Sequence, residues 1–79
     1  MGTKAVVKDL AYYMSLPYSM YLKPDEDGTW FAEVPELPGC MTYAHSRDEV
    51  LVMLEDAKET WLEGSLHYGD PIPEPKQED

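Results

Sequence analysis

The stretch EVPELPGC, Glu33 to Cys40, decides how the chain is read. WFAEV runs into it and CMTYA runs out of it, and both have strand character. Pro35 and Pro38 lack the N–H that a sheet ladder requires, so no central strand continues through the segment. The reading is a deliberate interruption. Val34 ends one strand, the prolines stop the ladder, Gly39 allows the turn, and Cys40 opens the next strand. Leu37, between the prolines, is the expected plug that pins the loop to the core.

Upstream, YSMYLKPDEDGTWFAEV reads as a β-hairpin. Tyr18, Met20 and Leu22 alternate onto one face, and Trp30, Ala32 and Val34 onto one face of the returning strand. PDEDG between them is turn chemistry: proline presets φ, the acids bond their own backbone, and Gly28 tolerates positive φ. A calcium-loop reading fails. With Gly28 as the loop glycine of an EF-hand, the first ligand is Lys23 and the twelfth Val34, and neither binds calcium. Ahead of the hairpin, AVVKDLAYYMSL (Ala5–Leu16) has helical apolar spacing through Val6, Leu10, Tyr13 and Met14, and Pro17 is expected to end it.

Downstream, Ser46 and Glu49 form an S-x-x-E capping box, with Asp48 and Glu49 where the helix dipole favours acids. The spacing predicts a helix from about Arg47 to Glu63, ended by Gly64. Val50, Leu54, Ala57 and Trp61 share one stripe at about 100° per residue and should face the sheet. Asp48, Glu55, Glu59 and Glu63 line the opposite side, with Glu49 and Asp56 beside them and Val52 among them. An apolar residue ringed by carboxylates suits an anchor for a basic partner, so Val52, Glu55, Asp56, Glu59 and Glu63 are the candidate partner-binding residues. The following SLHYGDPIPEPKQED admits only a short edge strand near Ile72, because Pro71 and Pro73 exclude a central one.

The 79 residues make one small domain, 1–79, with residues 1–4 and 75–79 expected to be disordered tails. One cysteine, Cys40, excludes an intrachain disulfide and a thiol-paired zinc site. A small domain without such staples often leans on self-association, so a homo-oligomer is expected. Neither a signal peptide nor a long apolar run is evident, which predicts a cytoplasmic location. Net charge is −10, of which −8 falls from Asp48 onward. That disfavours direct nucleic-acid binding and suits a basic protein partner.

Catalysis finds little support. His45 and His67 flank the helix without a nucleophile motif beside them, and a Cys40/His45 pair rests on spacing alone. There is no H-E-x-x-H, P-loop or G-x-G-x-x-G. A magnesium nuclease needs carboxylates converging from strands, and these strands offer only Glu33. The expectation is a non-enzyme without cofactor or metal.

The order of hairpin, proline loop, third strand and capped helix resembles the HicB-like antitoxin family. Gly28, Ala32, Val34, Pro35, Leu37, Pro38, Gly39 and Cys40 carry the resemblance, with the Ser46–Glu49 helix entry and Ala57. PYSMYLKP and GDPIPEP extend it over about Leu16 to Pro75. The resemblance implies an α+β fold: a three-stranded antiparallel sheet with one main helix across one face, described as a partial RNase H-like fold without the nuclease site. It also implies a partner, a small basic HicA-type toxin that cleaves mRNA. Many such antitoxins carry a C-terminal helix-turn-helix or ribbon-helix-helix segment. The sixteen residues after Glu63 leave no room for one, so autorepression by this chain alone is not expected. Two other readings stand beside the antitoxin: an oligomeric binding or structural protein without a toxin, and a degenerate RNase H-like metal-dependent enzyme acting through Glu33.

Overall fold

The computed structural model describes residues 7–76. Its elements in chain order are helix α1 (Leu10–Met14), strands β1 (Tyr21–Pro24), β2 (Trp30–Glu33) and β3 (Met41–Ala44), and helix α2 (Arg47–Tyr68). The strands form one antiparallel sheet in the order β1-β2-β3, with α2 packed across one face. This is the expected α+β architecture.

The proline segment folds as two consecutive β-turns. The Leu37 N–H donates to the Val34 carbonyl at 3.0 Å, and the Cys40 N–H to the Leu37 carbonyl at 3.0 Å. Pro35 and Pro38 each take the second position of a turn, where a preset φ is favoured. Gly39 takes the third position of the second turn with φ +86°, a conformation that costs a Cβ-bearing residue strain. The Val34 N–H donates to the Cys40 carbonyl at 2.9 Å and closes the loop directly onto the β2–β3 register. Leu37, 1% exposed, is buried in the core as a plug.

The hairpin turn takes the same local approach. Gly28 sits at φ +92°, and Asp27 accepts from the Thr29 N–H at 3.1 Å and hydroxyl at 2.7 Å. Beyond it, Leu22, Trp30 and Ala32 turn inward and pack with Val34, Ala44, Val50 and Leu54.

Several element boundaries differ from expectation: β2 stops at Glu33 and β3 starts at Met41, leaving Val34 and Cys40 just outside the strands. α1 spans only Leu10–Met14, because the Asp9 side chain accepts the Tyr12 N–H at 3.0 Å and fixes the start there. Ala5 and Val6 of the expected helix lie outside the described residues, and Val7 is exposed. β1 begins at Tyr21, so Tyr18 and Met20 precede it. Tyr18 is still buried, but Met20 is exposed and contributes nothing to the core.

α2 runs through Gly64 to Tyr68. A helix-interior glycine costs about 1 kcal/mol but does not by itself end a helix, and α2 continues past Gly64. The helix stops at Gly69, φ +73°, where the Gly69 and Asp70 N–H groups both donate to the Ser65 carbonyl.

No edge strand forms at Ile72. Pro71, Pro73 and Pro75 remove every second donor, and the segment is tied by side chains instead. The Tyr18 hydroxyl donates to the Pro73 carbonyl at 2.6 Å, while Glu74 accepts from Lys8 and from the Tyr12 hydroxyl, each at 3.1 Å. Pro75 is buried and Lys76 exposed; residues 1–4 and 77–79 of the expected tails lie outside the described residues.

Candidate functional site

α2 gives the surface on which a partner could act. Its entry carries the Ser46 half of the expected capping box, the Glu49 N–H donating to the Ser46 Oγ at 3.1 Å. The Glu49 carboxylate instead accepts at 3.1 Å from the N–H of His45, one residue ahead of the cap. This capping fixes the helix start, and from there its rotation is set by Val50 and Leu54, 0% and 1% exposed, on the sheet. A second restraint sets the helix against the proline loop. The Trp61 indole N–H donates to the Pro38 carbonyl at 2.8 Å, so the loop and the helix hold each other in place.

With the inner face so fixed, Val52, Glu55, Asp56, Glu59 and Glu63 all emerge exposed on the outer face, and Val52 is 65% exposed. The geometry therefore brings the five candidate residues onto one surface. Leu66, 37% exposed, falls on the same side near the C-terminal end and extends the apolar content of that strip.

One residue was not anticipated. Lys58 is buried, with its ammonium 3.4 Å from the Glu55 carboxylate and 6.0 Å from the centre of the Tyr18 ring. It lies four residues after Leu54 and four before Leu62, both core positions, so its placement between them was available in the spacing. Its aliphatic stem packs inward while its charge anchors Glu55, one of the candidate acids.

The groups weighed for catalysis are not assembled for it. Cys40 is 3% exposed, and burial pushes its thiol above the ordinary cysteine range, the opposite of what a nucleophile needs. Glu33 stands on the sheet face away from α2, paired with Met41 of β3. Among the described residues no three His, Cys, Asp or Glu side chains converge in a metal-binding group. The acids of the hairpin tip line a hollow with Lys23 and Pro24, but Asp27 is engaged by Thr29, and that hydrogen bonding holds its carboxyl below the usual range.

The class defined by this arrangement is a small α+β domain: a sheet covered on one side by a long helix whose outer face is acidic. Sequence comparison makes the family specific. The profile of the HicB-like antitoxin of bacterial toxin-antitoxin systems matches residues 18–79, and the chain belongs to that family. It is 30% identical over 64 residues to a UPF0150 protein of Thermoplasma acidophilum, covering 81% of this chain and 93% of that one. A UPF0150 protein of Archaeoglobus fulgidus is 40% identical over 55 residues, 70% of this chain and 80% of the relative. Antitoxin HicB 1 of Photorhabdus laumondii is 33% identical over 61 residues, which are 77% of this chain and 39% of that protein. No helix among the described residues is long and apolar enough to cross a membrane.

Proposed function

We propose that this chain is an antitoxin that binds and neutralises a small basic HicA-type ribonuclease in the cytoplasm, through the outer face of α2. Membership of the HicB-like family supplies the class of partner. The observation that carries the surface is the exposure of Val52 among Glu55, Asp56, Glu59 and Glu63 on a helix whose other side is committed to the core. A ribonuclease holds phosphate with basic side chains, and carboxylates spaced along a rigid helix compete for those same groups. Val52 supplies the apolar centre that such a contact needs once water is excluded. In this reading the chain does no chemistry of its own, takes no cofactor or metal, and works as a homo-oligomer.

Co-expression with any small basic protein encoded beside it, followed by co-purification and an mRNA-cleavage assay, tests the proposal. The chain should capture the toxin and suppress cleavage. Val52→Asp, and Gln in place of Glu55, Glu59 and Glu63, should each weaken capture at least tenfold while far-UV circular dichroism is unchanged. Equal capture by these variants would remove α2 as the surface, and absence of any captured basic protein would remove the toxin reading.

A further inference from the structure

The sheet has a second face, and nothing among the described residues covers it. α2 packs over the side bearing Trp30, Ala32 and Ala44. The opposite side carries Tyr21 and Lys23 from β1, Phe31 and Glu33 from β2, and Met41 and Tyr43 from β3. Tyr21 is 47% exposed, Met41 46% and Tyr43 57%. A sheet with one solvated face ordinarily alternates to polar residues there. Here four of six positions are aromatic or methionine. The rings form a continuous ladder across the strands, Tyr21 to Phe31 at 6.3 Å and Phe31 to Tyr43 at 5.1 Å between centres.

Charge selects the occupant. The chain carries −10, yet these six residues sum to zero, one lysine and one glutamate. Two copies meeting through α2 would oppose carboxylate to carboxylate, whereas this face can meet its own kind without net repulsion. A basic partner, in contrast, is drawn to the acids of α2 and finds no surplus charge here.

The register then fixes how two copies would lie. Tyr21 pairs with Glu33 and Lys23 with Phe31, so these four residues mark the corners of a rectangle on the open face. Lys23 and Glu33 occupy one diagonal, Tyr21 and Phe31 the other. A twofold axis along the Tyr21–Phe31 diagonal stacks each of those rings on its own counterpart. The corners are about 6.8 Å apart along the strand and about 4.8 Å across it. The same rotation therefore brings Lys23 of each copy to within about 3 Å of facing Glu33 of the other, a lysine's reach, twice. We propose that two copies of this chain dimerise face to face through the open side of the sheet, with an aromatic centre flanked by two reciprocal Lys23–Glu33 ion pairs. This rests on the homo-oligomer reading and names its seam. It leaves α2 free on both outer surfaces of the dimer.

Sedimentation equilibrium of the intact chain at about 100 µM tests this, since a six-residue patch is smaller than the roughly 800 Å² per partner of a standard interface and gives a weak dimer. The parent should be dimeric. Lys23→Glu leaves acids at both positions and Glu33→Lys leaves lysines at both, so each alone should be at least tenfold weaker in self-association. The double exchange K23E/E33K should recover the dimer, and an equimolar mixture of the two single variants should form a heterodimer. Circular dichroism of each variant checks that it is folded, and both sites are on the solvent side of the sheet. A monomeric parent would overturn the oligomer reading as well as the seam. An oligomer indifferent to both single exchanges, or singles that fail to complement each other, would overturn the seam alone. None of these results depends on a toxin.

Discussion

Replacing Leu37 by alanine should remove a large part of the stability of this domain. Leu37 is 1% exposed and sits where two β-turns meet, held from both sides by the Val34 and Cys40 hydrogen bonds. Transfer of its side chain from water contributes roughly 1.5–3 kcal/mol, and truncation adds the cost of the cavity left behind. The prolines before and after it restrict the loop, so the site has little freedom to collapse into the vacated space. A loss of about 3 kcal/mol is therefore expected, within the roughly 2–5 kcal/mol span of buried Leu→Ala changes. A domain of this length has about 4–12 kcal/mol in all. The midpoint of thermal unfolding should then fall by about 12–24 °C, at about 4–8 °C per kcal/mol for this size. Urea unfolding followed by far-UV circular dichroism, at one fixed protein concentration, measures the change. Val52→Ala on the exposed face is the control and should move stability by less than about 0.5 kcal/mol. A loss below about 1 kcal/mol for Leu37→Ala would refute the view that the proline loop is pinned through this residue.

Two further predictions concern α2 and the C-terminal segment. Gly64 is helical and a Cβ built on it meets nothing within 4 Å, so Gly64→Ala should stabilise the fold by about 0.5–1 kcal/mol, read as a higher urea midpoint with unchanged slope. Burial foremost, then the nearby Glu74 charge, pushes the Tyr18 phenol up to about 12 from an ordinary 10.0. Its folded value lies above the unfolded one, so its contribution is complete below pH 10 and is lost as pH rises toward 12. Tyr18→Phe should abolish that alkaline loss and cost about 1 kcal/mol at neutral pH through the missing bond to Pro73; an alkaline unfolding profile superimposable on the parent's would contradict this.

The order of elements was legible in the sequence because each was marked by local chemistry. Prolines and a glycine at set positions wrote the loop, Gly28 and its acids wrote the hairpin turn, and Ser46 with Glu49 wrote the start of α2. Ends that depend on tertiary contacts were less legible. Gly64 reads as a helix terminator, but the stop falls at Gly69, the glycine that takes the αL conformation, and a local rule does not rank the two. Met20 had the alternation of a strand residue, but β1 starts one residue later, and Tyr18 reaches the core from outside the sheet. The Ile72 segment lacked a strand for the reason its prolines already gave, and its anchoring by Tyr18 and Glu74 spans more than fifty residues of sequence, beyond the reach of any local pattern. The acidic face of α2 followed from helical periodicity alone. Buried Lys58 was missed because a lysine reads as solvent-facing unless its spacing from two core leucines is weighed.

Capture of a basic toxin by the outer face of α2, as proposed, has a direct readout. Isothermal titration of the purified toxin into this chain, repeated with Gln at Glu55, Glu59 and Glu63 and at two salt concentrations, tests it most directly. Saturable binding that weakens at higher salt is expected, with both the affinity and its salt dependence reduced in the variant. Binding of equal strength and equal salt response in parent and variant would contradict it.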